Sequence, residues 1–313
     1  MRTLVLAREL AKTNTLFYVC RKDNPLTEKY INGIEKVRKC GFKALLINED
    51  DVIGALSSIQ ADCLITDSYD VDEEYFNKTK NMFKKTGYID DLNLYYYNVD
   101  FVINQNVTAK NSIYKCNDET LQLLGTNYVM LRQEFRESIP NKIKSNVKDI
   151  LITMGGADPN NFTLKLLKYI KELDYNFHVV IGPSFSKIDR IEEEIKNKDN
   201  IKLYFNANML EMMKISDVAI SAAGSTLYEL GSMGVPTLSV ILVDNQEDIA
   251  KEMHKNGYMI NLGWYDKIEK HDVLDAINII NDSDLREKMS YRAIKQINKN
   301  GVDKLCDEIQ KIF

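Results

Sequence analysis

Ser221-Ala222-Ala223-Gly224-Ser225-Thr226-Leu227-Tyr228-Glu229-Leu230 decides the reading of this chain. An apolar run, Asp217-Val218-Ala219-Ile220, leads into it. A short helical pattern with Gly231 and Gly234 leads out, into a second apolar run, Val235-Pro236-Thr237-Leu238-Ser239-Val240-Ile241. Apolar runs of strand length without alternation read as buried parallel strands, so the segment predicts one βαβ unit. Ser225 or Thr226 can cap the helix, and Glu229 projects from its first turns. Backbone N–H groups at such a turn attract phosphate, while a carboxylate one turn in can accept hydrogen bonds from ribose hydroxyls. A nucleotide diphosphate therefore fits. Taken alone, the turn reads more plainly as an ordinary βα connection built of small residues.

A second small-residue turn supports the first reading. Met154-Gly155-Gly156-Ala157-Asp158-Pro159-Asn160-Asn161 follows the apolar run Asp149 to Met154 and precedes a helical pattern. Its glycines let the backbone approach a ligand, and Asp158 or Asn160 can cap the helix. It is neither a Walker loop nor a GxGxxG fingerprint. Both turns are expected at the carboxyl ends of strands in one sheet, the edge at which open α/β sheets bind ligands.

Outward from these turns the chain reads as two α/β halves. Strands are expected at Leu16 to Cys20, Lys43 to Ile47, Asp62 to Thr66, Asp100 to Ile103, Asp149 to Met154, Phe177 to Ile181, Ile201 to Phe205, Val218 to Ser221 and Val235 to Ile241. Thr27 to Lys39 and Val71 to Lys84 read as helices, as do residues of about 160–173, 186–197, 207–215 and 225–234. The tail from Ser283 reads as two helices broken near Gly301. This alternation predicts parallel sheets with helices on both faces. Residues 132–147, polar and carrying Pro140, read as a linker.

Composition narrows the function classes. The chain has 313 residues, 41 basic against 46 acidic, and a net charge of −5. That balance offers no footprint for nucleic acid or an anionic membrane. No apolar run approaches the ~20 residues of a membrane span, and no signal peptide is visible. Five cysteines (Cys20, Cys40, Cys63, Cys116 and Cys306) lack CxxC spacing. They imply a reducing, cytoplasmic setting rather than a disulfide framework or a zinc site. Asp90 and Asp91 lack a third ligand and read as a solvated turn rather than a metal site. His178, His254 and His271 read as structural or surface residues, since no Ser-His-Asp or Cys-His order accompanies them.

The two turns together, about 60 residues apart, resemble the UDP-sugar hydrolases of pseudaminic-acid biosynthesis and their spore-coat polysaccharide relatives. These are similar in turn to the GT-B glycosyltransferase that makes peptidoglycan lipid precursors. Asp67-Ser68-Tyr69, Ile89-Asp90-Asp91, Asp100 to Asn106 and Leu131-Arg132-Gln133-Glu134-Phe135 fall in the family's order and spacing, so the likeness covers nearly the whole chain. It implies two facing Rossmann-like domains, a sugar- or acceptor-side domain at 1–135 and a UDP-binding domain at 146–313. Gly155 and Gly156 would line the diphosphate, Gly224, Ser225 and Thr226 the phosphates, and Glu229 the ribose hydroxyls. Asn245 and Gln246 would reach phosphate or sugar, or simply cap the helix before Asp248. Asp67 and Tyr69 would face the sugar as candidate catalytic residues, although a half-buried packing role suits a tyrosine equally. The reaction implied is water attack at the anomeric carbon of a UDP-linked amino sugar, of the UDP-2,4-diacetamido-2,4,6-trideoxy type, releasing UDP and free sugar. No metal or cofactor is called for, and association with a nonulosonic-acid synthase is a further implication.

One departure is large. Family members open with a strand and a Gly-x-Gly-His loop before a helix beginning Met-Arg, whereas this sequence starts at Met1-Arg2-Thr3-Leu4. The strand would be central in a doubly wound sheet, and its loss would leave unpaired backbone edges. The resemblance thus implies an upstream strand and catalytic histidine, with a shorter, inactive protein as the alternative. Two rivals to the hydrolase stand beside it: a GT-B glycosyltransferase using the same nucleotide site, and a non-catalytic nucleotide-sugar-binding relative.

Overall fold

The structure, a computed structural model, describes residues 2–313. These fall into two compact units: residues 1–130 with 300–313, and residues 131–299. The tail helix, which the sequence reading assigns to the second domain, clusters with the first unit.

Unit 1 runs α1 (Arg2–Leu10), β1 (Phe17–Lys22), α2 (Glu28–Lys39), β2 (Lys43–Asn48), α3 (Val52–Ser57), β3 (Cys63–Thr66), α4 (Glu73–Thr79), β4 (Lys85–Ile89), β5 (Tyr96–Tyr97), β6 (Phe101–Asn104), β7 (Lys115–Cys116) and β8 (Leu121–Leu124). Its strands pair in parallel, in three sheets: β3-β4-β6-β8, β1-β2 and β5-β7. Period-2 alternation sorts the largest sheet's two faces. Ile89, Phe101 and Ile103 meet Leu6 and Leu10 of α1 and Val302, Leu305 and Ile309 of the tail helix. Tyr88 and Val102 meet Phe76, Tyr97 and Tyr114 on the other side. Among the described residues β1 pairs only with β2 and β3 only with β4, so each keeps one open ladder edge.

Unit 2 runs α5 (Gln133–Arg136), β9 (Asp149–Thr153), α6 (Phe162–Ile170), β10 (Asn176–Ile181), α7 (Ile188–Glu194), β11 (Ile201–Phe205), α8 (Met209–Ile215), β12 (Val218–Ala222), α9 (Thr226–Ser232), β13 (Thr237–Ile241), α10 (Glu247–Lys255), β14 (Met259–Trp264), α11 (Lys270–Ile280) and α12 (Ser283–Gln296). The chain then ends in α13 (Gly301–Gln310) of unit 1. The unit 2 sheet is fully parallel in the order β11-β10-β9-β12-β13-β14. β9, β12 and β13 are buried at nearly every position, as their unbroken apolar runs require. From β9 the chain winds outward through β10 and β11, and from β12 it winds the other way. The order therefore reverses between the neighbours β9 and β12.

Segment 131–147 is fastened to unit 2 rather than hanging free. Asn141 donates its amide to Met233 O at 2.8 Å and its side chain to Met213 O at 2.7 Å. Arg286, fully buried, donates to Lys144 O at 2.7 Å and Ser145 O at 2.9 Å. Asp217, 6% exposed, accepts from the amides of Lys148 and Asp149 at 2.8 and 3.0 Å and from Lys144 Nζ at 2.7 Å. Burial opposes its charge, but Lys144 and the two amides outweigh that and hold its pKa below the ordinary value.

Asp217→Ala orphans both amides, at about 1–3 kcal/mol each; the exposed Lys144 adds little. A loss of about 2–4 kcal/mol is expected from urea titration at neutral pH. Because the folded pKa is depressed, this stability is present above the ordinary aspartate pKa of about 4 and drains away as pH falls through the folded value. The gap between wild type and variant should therefore close in acid. A gap that does not narrow at all as pH falls below the ordinary aspartate value would remove the charge from the account.

Candidate functional site

Three loops meet where the strand order reverses in unit 2. After β9, Gly155 adopts a φ of +77°, a backbone geometry that other residues rarely take, and a Cβ on Gly155 or Gly156 would meet no atom within 4 Å. That side of the loop is open space. Its other side is held by the β10 exit. Ser184 N donates to Gly156 O at 2.9 Å, and Gly182 lies so close that a Cβ there would stand 2.4 Å from the carbonyl oxygens of both glycines. Asp158, buried, caps α6 by accepting from Phe162 N and Thr163 N at 2.9 and 2.8 Å. Asn160 does not cap; its side chain donates to Leu242 O at 3.0 Å, just past β13.

The loop after β13 completes the frame. Gln246 Oε1 accepts from Leu242 N at 2.9 Å, and its Nε2 would stand 3.7 Å from a Cβ on Gly224. Both backbone groups of Leu242 are thus gripped, one by Asn160 and one by Gln246. The exits of β9 and β13 bracket the turn that follows β12. Gln246 occupies the cap position of α10 without a side-chain bond to the helix, so the capping reading gives way to this brace. Asn245 is exposed on the turn beside it.

Ser225 and Thr226 open α9, but no side-chain cap forms at Ser225, contrary to the expectation that a hydroxyl there serves the helix. Among the described residues, the amide N–H groups of Gly155, Gly156, Gly224, Ser225 and Thr226 have no acceptor. Gly155, Gly156 and Ser225 are exposed and Gly224 and Thr226 half-buried, so these amides are open to solvent or to a ligand. Five free ones on two adjacent strand exits, at a reversal of strand order and with open space beside the glycines, suit an anion.

Glu229 sits one turn into α9 and is not free. Arg132 donates to it through Nε at 2.7 Å and Nη2 at 3.0 Å, a bidentate fork. Burial raises the Glu229 pKa, and Arg132 pulls it down only in part. Sequence reading missed this partner, because 97 residues separate the two.

In unit 1, Asp67, Ser68 and Tyr69 leave β3, Asp90 and Asp91 leave β4, and Asn106 lies just beyond β6. They form one polar cluster at the carboxyl edge of adjacent strands. Arg2 donates to Asp67 at 2.8 Å and to Asp91 at 2.6 Å, and Thr3 donates to Asp67 at 2.5 Å. Burial works against the Asp67 charge, yet Arg2 and Thr3 hold its pKa below the usual value. The Tyr69 hydroxyl donates to Asp91 at 2.5 Å; burial, then Asp91, push its pKa up to about 12. Asn106 donates to Asp91 at 3.1 Å.

The solvated-turn reading of Asp90 and Asp91 is overturned. Asp90 is 2% exposed and accepts from Tyr97, Tyr114 and the amides of Leu92 and Asn93. It fixes the turn that presents Asp91. The histidines stand apart from these residues: His178 bonds Asp149 and Tyr204 near the start of β10, His254 bonds Met259 O, and His271 lies at the start of α11. Among the described residues no group of His, Cys, Asp and Glu could hold a metal ion, and no helix is long and apolar enough to cross a membrane.

Comparison with known proteins places this geometry. Residues 149–307 match the glycosyltransferase family 28 C-terminal domain. The uncharacterised protein MJ1062 of Methanocaldococcus jannaschii is 30% identical over 97% of this chain and 68% of its own length. The Bacillus subtilis spore coat polysaccharide biosynthesis protein SpsG is 30% identical over 60% of this chain and 58% of its own. A Campylobacter jejuni UDP-2,4-diacetamido-2,4,6-trideoxy-beta-L-altropyranose hydrolase is 26% identical over 67% of this chain and 77% of its own. The crystal structure of Acinetobacter baumannii MurG superposes with a TM-score of 0.71 at 13% identity, covering 99% of this chain and 95% of that one. A GT-B-like α/β architecture and a matched domain spanning half the sequence lead to one conclusion: the chain belongs to the family defined by the glycosyltransferase family 28 C-terminal domain.

Proposed function

We propose that unit 2 binds the UDP moiety of a UDP-linked amino sugar and that the full activity is hydrolysis at the anomeric carbon, releasing UDP and the free sugar. The observation that carries this reading is the set of free amides on the loops after β9 and β12. Diphosphate on Gly155, Gly156, Gly224, Ser225 and Thr226 would satisfy them, and fixed N–H dipoles stabilise the charge that develops on a departing UDP. Glu229 takes the ribose hydroxyls, with Gln246 bracing Gly224 and Asn245 exposed toward phosphate or sugar.

In unit 1, Asp67 is a weak base, since Arg2 and Thr3 stabilise its charge, so its role is to orient sugar or water. Tyr69 stays protonated and donates. Asp91, at the centre of their bonds, joins them as a sugar contact. In the resembled family base action belongs to a histidine on a Gly-x-Gly-His loop after a strand, and the open ladder edges of β1 and β3 are where such a strand would pair. The relative that cleaves a UDP-diacetamido sugar supports the substrate class, and a nonulosonic-acid synthase is the proposed taker of the free sugar.

Calorimetry with UDP tests the nucleotide site. UDP release from UDP-amino sugars tests the reaction, using this chain and a form carrying that strand and loop ahead of Met1. Normal UDP binding with no release by either form rules out hydrolysis; release that requires a sugar acceptor makes the chain a transferase. Glu229→Ala is expected to weaken UDP binding by about 1–3 kcal/mol through the lost ribose bonds. Unchanged affinity in a folded variant removes that role.

A further inference from the structure

Glu229 is an unusual choice of ribose acceptor, because a nearly buried carboxylate tends to take up a proton and lose acceptor capacity. Its side chain is 17% exposed, and Glu134 adds a like charge nearby. Arg132 offsets both in part. Its fork spans the two carboxylate oxygens, its third nitrogen reaches Glu134 at 3.0 Å, and its guanidinium lies 4.8 Å from the ring centroid of the fully buried Phe135. Arg132 is thus fixed from three directions. A bidentate fork uses one lone pair of each carboxylate oxygen and leaves the second for another donor.

We propose that Arg132 is a positioning residue for ribose recognition: it aims the remaining lone pair of each Glu229 oxygen at a vicinal diol, which makes the site selective for ribonucleotides over 2′-deoxyribonucleotides. This rests on the assignment of Glu229 to the ribose. The diol supplies two donors, and an ionised carboxylate held in one plane supplies two acceptors at matching spacing. Without Arg132 the charged groups left around Glu229 reduce to Glu134 alone, so burial and like charge both disfavour ionisation and Glu229 protonates nearer neutrality. One of its oxygens then becomes a donor, and the second hydroxyl loses its acceptor.

The test is calorimetry of UDP and 2′-deoxy-UDP against wild type, Arg132→Ala, Arg132→Lys and Glu229→Gln, from about pH 6 to 9, a range spanning the expected titration of an unpaired buried carboxylate. Wild type should prefer UDP by roughly ten- to a hundred-fold, the scale of one hydrogen bond to a charged acceptor, with little change across that range. Arg132→Ala should bind UDP through its diphosphate yet show a preference below about three-fold at the acid end that climbs as pH rises and Glu229 ionises. Glu229→Gln, with one acceptor oxygen and no charge to titrate, should show a weak preference that does not change with pH. Arg132→Lys keeps charge without the fork and should fall between wild type and the alanine variant. If Arg132→Ala does not fold, the lysine variant is read by the same preference and pH slope. A full, pH-independent preference in the arginine variants overturns the proposal while leaving Glu229 in place. Wild type that binds UDP without preferring it over the deoxy form removes Glu229 from the ribose. Wild type that binds neither overturns the nucleotide reading itself.

Discussion

Arg286→Ala is expected to lower the stability of the protein by roughly 3–6 kcal/mol, the largest loss foreseen for any single side chain here. The guanidinium is fully buried and meets three carbonyls: Lys144 O at 2.7 Å, Ser145 O at 2.9 Å and Asn281 O at 3.4 Å. Truncation leaves those acceptors without their donor, each at about 1–3 kcal/mol for the two short bonds, and opens a cavity the size of an arginine. Arg286→Met fills most of the space and restores none of the bonds, so it should recover only the cavity part. Urea unfolding of the three proteins measures both components. A loss under about 1 kcal/mol for the alanine variant would mean that water replaces the guanidinium at no cost, and the fastening of residues 144–145 would then need another cause.

Gly182→Ala should weaken UDP binding sharply at a modest stability cost. The added Cβ would stand 2.4 Å from the carbonyl oxygens of Gly155 and Gly156. Those atoms are backbone, so the loop itself must move, at about 1–3 kcal/mol for an overpacked contact. A shift of even about 1 Å takes the Gly155 and Gly156 amides out of hydrogen-bond range of a diphosphate placed for the β12 turn. A fall in affinity of roughly a hundred-fold or more is expected, alongside a lowered melting temperature. Gly156→Ala supplies the contrast. Its Cβ points into open space, so stability should hold while affinity drops, because that space is where the nucleotide is proposed to lie. UDP affinity equal to wild type in both variants would place the ligand elsewhere.

The sequence predicted the skeleton of unit 2 closely because its strands are unbroken apolar runs; β10, β11 and β12 agree with expectation to within a residue. Unit 1 was less legible. The helix expected over Val71 to Lys84 is only Glu73–Thr79, and a strand, Lys85–Ile89, follows almost at once. Lys-Thr-Gly-Tyr-Ile carries neither an apolar run nor strict alternation, so no local signal announces it. The two glycine turns could be found because glycines and small side chains directly after an apolar run mark a tight turn with accessible backbone. Their supports could not. Arg132 reaching Glu229, Gly182 lying under the Gly155–Gly156 loop and Arg286 reaching Lys144 all depend on partners brought near only by the finished sheet. Asp90 shows the same limit in reverse: an Asp-Asp pair after a strand reads as solvated until Tyr97 and Tyr114, farther along, close over it.

The return of the last helix to the first unit sets an order of events at birth. Leu6, Leu10, Ile89, Phe101 and Ile103 are covered in part by Val302, Leu305 and Ile309, which leave the ribosome only after the whole of residues 131–299. At ~5–20 residues per second that interval lasts on the order of ten seconds or more. The sheet of unit 1 must wait with an uncovered apolar face while residues 131–299 are made. Nascent chains stalled short of residue 300 should therefore recruit chaperones through residues 1–130 rather than through the segment most recently made.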